Sequence, residues 1–352
     1  MTLPRAFLSG IIEGFYGRCW SYDTRLAYAD YLSDLGLNTC IYAPKSDTVL
    51  RKQWQERWPG RQLSELKSLA QAYRQRDIHW GVGLSPFELY LDYGESQREK
   101  LKRKVAYLAE LDAPLLAVLF DDMPGDLDAL AQRQAEIVGD VCRWAPAQRV
   151  LVCPTYYSND PALERFFGPR PANYWQQLGR ELPADVDVFW TGNAVCSSSI
   201  DAEDIEVINR QLGRRVTLWD NYPVNDGAER SNFLYTSKLS GRSKSLRPLI
   251  NGHLCNPMNQ GVLSLPALSG LAGLYGNARL DEDALRSALG FRTWERLMLD
   301  RRAFEKEGLS GMGADRCQQL AAQYAELPGA AAREITEWLQ GDYVFDPACL
   351  TG

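Results

Sequence analysis

Two adjacent carboxylates, Asp121 and Asp122, directly follow the apolar run Leu115–Phe120. Such a run is typical of a buried strand, so both side chains are expected where that strand meets a polar surface. Two like charges beside an apolar wall disfavour double ionisation, which raises the pKa of one carboxyl and leaves the other charged. A proton donor beside an anion suits acid/base chemistry, and this pair is the candidate catalytic site.

The closeness of the two carboxylates bears on the kind of reaction. Glycosidases commonly flank the scissile bond with two carboxyl groups several ångströms apart, which neighbours in sequence cannot readily do. The pattern suits a substrate-assisted reaction better. In that reaction the 2-acetamido carbonyl of a sugar is the nucleophile, one carboxylate orients the amide, and the next protonates the leaving group.

Two other interpretations of the pair stay open in the sequence. The carboxylates could cap the following helix or pair with nearby basic residues, as an arbitrary Asp-Asp usually does. They could also bind a divalent metal ion, for which Asp47, Asp220 and Asp226 could supply further ligands.

The scarcity of histidine makes two kinds of catalytic site less expected, those with a Ser or Cys nucleophile and those with a metal ion. Ser and Cys nucleophiles usually need a His base, and metal sites usually take nitrogen ligands from His, but the chain has only 2 histidines, His79 and His253. Both fall in or near predicted strands and are expected to be structural. We therefore expect carboxylate chemistry with no cofactor and no metal ion.

Further aromatic and polar residues follow other apolar runs and suit a neutral sugar. Tyr157, Trp190 and Trp219 could cover pyranose C–H groups, and four side chains could bond hydroxyls: Lys45, Asn221, Asp226 and Asn256. Taken singly, each has a structural explanation in barrel packing, turns or solvation. Taken together beside the carboxylate pair, they favour a sugar pocket.

The elements that must position these residues form a repeated series. Eight short apolar runs, rich in β-branched and aromatic residues, predict strands over Ala6–Ile12, Asn38–Tyr42, His79–Leu84, Leu115–Phe120, Val150–Cys153, Val186–Trp190, Val216–Trp219 and Leu249–Leu254. Helical patterns separate them, including Tyr22–Leu35, Gln62–Arg76, Glu95–Leu111 and Leu127–Trp144. The series predicts an α/β fold, a TIM-type (β/α)8 barrel over residues 1–275 with its active site at the C-terminal strand ends.

Residues 276–352 are rich in Ala, Leu, Arg and Glu and predict a small all-α domain. Its helices are expected over Asp281–Leu289, Arg292–Glu307, Ala314–Ala325 and Ala330–Gln340. The sequence leaves open whether this domain packs on the barrel or forms a homodimer.

Charge and apolar content limit the partners and the location. With 39 Lys plus Arg against 45 Asp plus Glu, the net charge is −6, which repels nucleic acid and anionic membranes. No stretch approaches the roughly 20 apolar residues that span a bilayer, and Met1–Arg5 does not begin a secretory leader. The 8 cysteines form no C-x-x-C pair. We expect a cytoplasmic protein.

The strand-end motifs together resemble those of glycoside hydrolase family 84, which contains O-GlcNAcases and hyaluronidase-like β-N-acetylglucosaminidases. The resemblance covers about residues 6–275. It is carried by segments in the family's order and spacing: Glu13–Trp20, Tyr42–Lys45, Leu119–Asp122, Cys153–Thr155, Trp190–Gly192, Trp219–Asn221, Asn225–Asp226 and Asn256–Pro257.

The resemblance implies a retaining exo-β-N-acetylglucosaminidase that works through an oxazoline intermediate. By this matching, Asp121 would hold the acetamido N–H and Asp122 would be the general acid/base. Sugar hydroxyls would be bound by Gly14, Lys45, Asp226 and Asn256. The acetamido region would be contacted by Tyr157, Trp219 and Asn221. The implied partner is an N-acetylglucosamine-containing glycoside or glycoprotein.

Departures from the family pattern bear on the pocket rim. Cys19 stands where the family usually has Pro, Ser46 where it usually has an acidic residue, and the Tyr222–Val224 segment is unlike other members. A changed leaving-group preference is therefore one expectation. The sequence leaves open a non-catalytic N-acetylhexosamine-binding protein, a preference for N-acetylgalactosamine, and an aglycone that is a protein, a muropeptide or a second sugar.

Overall fold

The computed structural model describes residues 6–276 and 282–351 and contains a closed barrel of parallel strands. The strands are β1 Leu8–Glu13, β2 Thr39–Tyr42, β3 His79–Leu84, β4 Leu115–Leu119, β5 Arg149–Cys153, β6 Asp187–Trp190, β7 Val216–Asp220 and β8 Gly252–Cys255. Each strand pairs with its neighbours in chain order, and β8 returns to β1. The predicted TIM-type barrel is confirmed.

Close approach of β1 to both neighbours closes the barrel. Gly10 pairs with Thr39 of β2 and with Leu254 of β8. A Cβ at Gly10 would lie 1.9 Å from the Thr39 carbonyl oxygen, so only glycine allows this approach. The first strand begins two residues later than the sequence predicted, because the ladder to β8 starts at Leu8.

Helices surround the barrel and continue beyond it. They are α1 Tyr22–Asp34, α2 Gly60–Arg74, α3 Glu95–Leu108, α4 Leu130–Trp144, α5 Pro161–Phe167, α6 Tyr174–Glu181, α7 Ala202–Leu212, α8 Leu265–Leu274, α9 Glu282–Leu289, α10 Phe291–Arg302, α11 Gly308–Met312, α12 Ala314–Ala325 and α13 Ala330–Leu339. A π-helical turn, Ala303–Glu307, continues α10 over the end of the predicted Arg292–Glu307 helix. Asp281, the predicted first residue of α9, lies outside the described residues.

The C-terminal helices pack on the barrel through buried polar contacts. The Glu334 carboxylate of α13 accepts the main-chain N–H groups of Val262 and Leu263 at 3.1 and 3.0 Å. Burial raises the pKa of Glu334 to about 7, although both N–H groups oppose the shift. Trp338 Nε1 donates to the Ser231 carbonyl at 3.1 Å. These contacts place α13 beside the loops that follow β7 and β8. The domain boundary at residue 275 stays a prediction.

None of the helices within the described residues is both long enough and apolar enough to cross a membrane.

Candidate active site

All nine predicted site residues line one pocket at the C-terminal ends of the strands. They are Gly14, Lys45, Asp121, Asp122, Tyr157, Trp219, Asn221, Asp226 and Asn256. The strands end at the same face of the barrel, so loops far apart in sequence meet there. A larger cavity of about 650 Å³ lies at the opposite end, around His79 and Leu115 at the starts of β3 and β4, away from the carboxylate pair.

Asp121 has one engaged oxygen and one without a partner. The Lys45 ammonium donates to Oδ2, and both side chains are almost fully buried. Oδ1 is buried with no hydrogen-bond partner. An unpaired buried carboxylate oxygen is costly, so this atom is an acceptor that lacks its donor. Asp121 lines the pocket together with Asp122.

Asp122 is held in an unusual backbone conformation by its neighbours. Its φ of 56° lies in the left-handed region, which few non-glycine residues adopt. The Tyr16 hydroxyl donates to Oδ2 at 2.8 Å and the Tyr157 hydroxyl to Oδ1 at 3.2 Å. Desolvation and then the Asp121 charge raise the pKa of Asp122, while Lys45 and Arg51 oppose the rise. Burial and the neighbouring Asp121 charge therefore favour the protonated form of Asp122, as expected for the proton donor of the pair.

Arg51 positions Asp122 from behind and was not singled out from the sequence. Its Nη2 donates to the Asp122 carbonyl at 3.1 Å, and its Nη1 donates to the Ser85 hydroxyl at 2.8 Å. The guanidinium lies 5.1 Å from the Phe87 ring centroid. It therefore supports the left-handed backbone of Asp122 and adds positive charge beside the pair. No motif in a single sequence marks an arginine that acts through a main-chain oxygen.

A chain of hydrogen bonds joins the C-terminal ends of β7, β8 and β1 in the pocket lining. Trp219 Nε1 and Asn256 Nδ2 both donate to Asn221 Oδ1, each at 3.0 Å. Asn256 Oδ1 in turn accepts the Gly14 N–H at 3.2 Å. The Trp219 ring packs edge-on against Phe189 and lies 5.6 Å from Lys45 Nζ. The indole is thus held in one orientation as the wall of the pocket.

Gly14 is required because the Trp219 indole occupies the space of a side chain. A Cβ at Gly14 would lie 2.3 Å from Trp219 Cζ2. We expect Gly14→Ala to displace the indole and lower the free energy of unfolding by about 1–3 kcal/mol, measured by urea denaturation. Gly60→Ala is the matched control, because a Cβ there meets no atom within 4 Å. Equal stability of the two variants would contradict this account.

Asp226 is a buried carboxylate bound to the β1 loop. Its Oδ2 accepts the Tyr16 N–H at 2.7 Å. Burial raises its pKa from 3.8 to about 6, with the Tyr16 N–H opposing the shift and Asp122 adding to it. A carboxyl whose folded-state pKa is raised contributes stability that is fully present below its unfolded pKa and is lost as pH rises through its folded pKa. Ionised Asp226 therefore costs stability above about pH 6.

We expect Asp226→Asn to stabilise the fold at pH 8 by up to about 3 kcal/mol, because a pKa unit corresponds to about 1.4 kcal/mol. The amide oxygen can still accept the Tyr16 N–H. The gain should shrink as pH falls from 6 towards 4, where Asp226 in the unaltered chain is protonated. Urea unfolding at pH 4.5 and 8 measures it, with exposed Asp128→Asn as control. A gain that is independent of pH would contradict the assignment.

The structure disfavours helix capping by the carboxylate pair. Helix α4 begins eight residues after Asp122, with Ala129 at its N-cap. Pairing with a basic residue accounts for only one oxygen of Asp121, through Lys45.

The metal interpretation finds no support among the described residues. Within them no group of three or more His, Cys, Asp and Glu residues is placed to hold a metal ion. Asp47 Oδ2 accepts from Tyr42 at 2.7 Å and Trp58 at 2.8 Å. Asp220 is bonded by Arg242 and by His253 Nε2. Two of the three extra candidates thus hold the scaffold together.

Two further predictions concern residues outside the pocket lining. His253 is fully buried between Asp220 and the Tyr275 hydroxyl, a structural role as expected. The sequence offers Trp190 as a cover for pyranose C–H groups, but the residue is fully buried in the core with its ring edge-on to Trp175. Its apolar surface is used in packing.

Sequence reasoning missed several residues of the pocket wall. Tyr16 and Val224 belong to loops that also hold predicted residues, and Cys153 ends strand β5. Thr191, Val195 and Cys196 follow β6, whose loop supplies none of the nine predicted residues. The remaining two, Cys349 and Thr351, come from the segment after α13. Tyr16 and Cys153 stood inside motifs already singled out, whereas nothing in the pattern around Cys349 indicated a site.

Comparisons with known proteins show the family to which the chain belongs. A family profile described as beta-N-acetylglucosaminidase matches residues 9–290. The protein O-GlcNAcase of Rattus norvegicus is 30% identical over 283 residues, which is 77% of this chain and 30% of the rat protein. That of Mus musculus is 30% identical over 282 residues, with the same two shares. The chain thus spans less than a third of the length of these curated relatives.

A solved structure of an O-GlcNAc hydrolase matches a larger share of the chain than the curated relatives do. A mutant of the O-GlcNAc hydrolase of Thermobaculum terrenum superposes with a TM-score of 0.75 at 27% identity, covering 95% of this chain and 81% of the other. The family profile covers most of the barrel and every predicted site residue. By sequence and fold, this chain belongs to the β-N-acetylglucosaminidase family.

Proposed function

We propose that this chain is a retaining exo-β-N-acetylglucosaminidase that uses the acetamido group of its substrate as the nucleophile. One observation carries the proposal. Asp121, whose buried Oδ1 has no hydrogen-bond partner, lines the same pocket as Asp122, the carboxyl whose pKa is raised. An acceptor without a donor suits the acetamido N–H, and a protonated carboxyl suits the glycosidic oxygen.

In the first step the acetamido carbonyl oxygen attacks C1 of the sugar and the bond from C1 to the aglycone oxygen breaks. Asp122 gives its proton to that oxygen. Asp121 accepts the amide N–H and stabilises the positive charge that develops on the oxazoline ring. Lys45, bonded to the other oxygen of Asp121, fixes the orientation of this carboxylate.

In the second step Asp122, now ionised, takes a proton from water. The water oxygen bonds to C1, and the oxazoline C–O bond breaks to regenerate the acetamido group. Two displacements at C1 retain its configuration. The chemistry uses two carboxyl groups, the substrate and water. The Asp121–Lys45 contact supports an anion that persists through both steps.

The rest of the pocket supports recognition of a neutral sugar. We assign hydroxyl contacts to Gly14, Lys45, Asp226 and Asn256, which all line the pocket. Tyr157 and Asn221 are assigned to the acetamido and glycosidic region, and the fixed indole of Trp219 to the acetamido methyl.

The natural substrate and the cellular location are also proposed. The relatives named protein O-GlcNAcase support N-acetylglucosamine on Ser or Thr of a protein as the substrate. A cytoplasmic location is proposed with it, supported by the net charge of −6 and the scarcity of apolar runs.

The test is parallel kinetics on three aryl β-glycosides: the N-acetylglucosaminide, the N-acetylgalactosaminide and the glucoside. We expect fast cleavage of the first, slow cleavage of the second and essentially none of the third. A thiazoline that mimics the oxazoline should inhibit. Equal cleavage of the glucoside would contradict substrate assistance, and calorimetric binding of N-acetylglucosamine without turnover would favour a binding protein.

Arg51→Met should alter the pH dependence of this activity. Arg51 lowers the pKa of Asp122, so its loss should raise that pKa and keep the general acid protonated to higher pH. The basic limb of kcat/KM, which reports the free enzyme, should therefore move to higher pH. Because the Asp122 carbonyl also loses its donor, kcat should fall about ten- to hundredfold.

Two variants separate charge from geometry at Arg51. Arg51→Lys keeps the charge and should retain the position of the basic limb while kcat stays low, because the forked contact to Ser85 and Asp122 is lost. Arg61→Met, at a side chain that is 91% exposed, should change neither. A kcat loss in Arg51→Met with an unmoved basic limb would contradict the electrostatic part of the role.

A further inference from the structure

The segment after α13, residues 343–351, lies in the mouth of the barrel and is called the C-terminal segment below. Its start packs on the β1 loop: the Tyr343 ring lies 4.8 Å from the Arg18 guanidinium, and the Val344 carbonyl lies beside Gly17. A turn then forms, in which Cys349 N donates to the Asp346 carbonyl at 2.9 Å. This turn directs the following residues into the pocket.

Two side chains of the segment stand among the proposed catalytic groups. Cys349 is 9% exposed and lines the pocket with Thr351, Asp121 and Asp122. Thr351 lines the pocket with Tyr157, the residue that donates to Asp122. Burial, and after it the charges of Asp226 and Asp122, raise the pKa of the Cys349 thiol. The thiol therefore enters the pocket as a neutral, weakly polar group.

The segment leaves too little room for a sugar. The free space in the pocket is about 40 Å³, which holds a few water molecules at most. Pockets that bind small molecules measure about 300 Å³ or more. A pyranose and the C-terminal segment therefore cannot occupy the pocket together.

The segment is also an incomplete ligand, which makes it displaceable. It leaves Asp121 Oδ1 without a donor, and a buried acceptor without a hydrogen bond destabilises the closed form. Three apolar side chains of the segment remain exposed, namely Val344, Phe345 and Leu350. An occupant with few apolar contacts opens more readily than the core, and an acetamido N–H would satisfy Asp121.

We propose that the C-terminal segment is an internal occupant of the sugar pocket that the substrate must displace. The inference rests on the proposed function, because it takes the pocket to bind N-acetylglucosamine. Tethering by the short connection from α13 gives such an occupant a high effective concentration. Closed and open forms then compete by mass action, so the closed form raises the apparent KM and leaves kcat unchanged.

Cys349→Glu tests the competition in the full chain. A glutamate at this position is larger than the thiol and is repelled by the Asp121 carboxylate and, above about pH 6, by ionised Asp226, so the segment should leave the pocket. We expect KM for an aryl N-acetyl-β-glucosaminide to fall at least about fivefold at unchanged kcat, as for a mostly closed enzyme that becomes open. Leu350→Glu is the matched control, since Leu350 is 46% exposed, and should leave KM unchanged. Equal KM in all three chains would overturn the proposal.

Alkylation of Cys349 in the unaltered chain gives a readout that does not need turnover. Iodoacetamide with peptide mass analysis should show slow reaction at Cys349 and faster reaction after the thiazoline is added, because the ligand expels the segment. Cys153, which lines the pocket from β5, should not become faster. A ligand that slows alkylation of Cys349, or a free-enzyme rate equal to that of the urea-unfolded chain, would overturn the proposal.

The two proposals fail in different ways. Absence of turnover and of thiazoline binding in both the unaltered chain and Cys349→Glu would refute the proposed function. Rapid alkylation of Cys349 without ligand would refute the internal occupant even in an active enzyme.

Discussion

Asp122→Asn should lose about 10²–10⁴-fold of kcat/KM on N-acetyl-β-glucosaminides with poor leaving groups, because the amide cannot donate the proton that the aglycone oxygen needs. The loss should be much smaller for aryl glycosides whose phenol departs without protonation. The amide keeps the shape of the side chain and can accept from Tyr16 and Tyr157. A series of aryl leaving groups, with kcat/KM plotted against phenol pKa, measures the effect.

The control for this variant is a carboxyl of the same loop. Asp128 is exposed six residues further along the chain, and Asp128→Asn should leave kinetics and stability unchanged. The basic limb of the pH profile should disappear in Asp122→Asn, because the group whose pKa is raised is gone. Loss of activity that is equal for good and poor leaving groups would argue against general acid catalysis by Asp122.

Asp121→Ala should have the largest effect on stability. It leaves the Lys45 ammonium buried without its partner, and removing one partner of a buried ion pair costs about 3–5 kcal/mol. Substrate assistance should be lost as well, because no acceptor holds the acetamido N–H. Urea unfolding measures the first effect and turnover of the N-acetylglucosaminide the second.

Asp121→Asn separates these two effects. Its amide oxygen can still accept from Lys45, so the loss of stability should be smaller than for Asp121→Ala. Turnover should nonetheless remain low, since a neutral amide cannot stabilise the cationic oxazoline. Similar destabilisation by Asp121→Ala and by removal of an exposed partner, as in Glu110→Ala, would contradict the role given to the buried pair.

Local patterns in the sequence were sufficient for the barrel and for most of the site. Each strand is a short apolar run that ends in polar residues, and parallel strands in a barrel bring those ends to one face. Asp121, Asn221 and Asn256 follow β4, β7 and β8, so the sequence predicts that they lie together, and they line one pocket. The errors were small: β1 and β8 begin two and three residues later than predicted, because their mutual pairing sets where each ladder starts.

The structure was needed wherever a role depends on a contact between distant segments. Arg51 acts through the main-chain oxygen of Asp122, which is 71 residues away in the chain. Trp190, a possible sugar platform by sequence, is a core residue because its ring packs edge-on against Trp175. No periodicity or motif encodes such contacts. They follow from side-chain packing, which depends on all the neighbours at once.

The sequence by itself determined the class of fold, the carboxylate pair and the polar groups around it, because periodicity and strand-end composition are local properties. Only the tertiary structure decided which oxygen of Asp121 stays unpaired, that the raised pKa belongs to Asp122, and that Cys349 and Thr351 enter the pocket. The path of the C-terminal segment depends on its packing against the β1 loop, more than 300 residues away in the chain. The desolvation of Asp122 and its interaction with neighbouring charges likewise depend on residues that only the folded chain brings together.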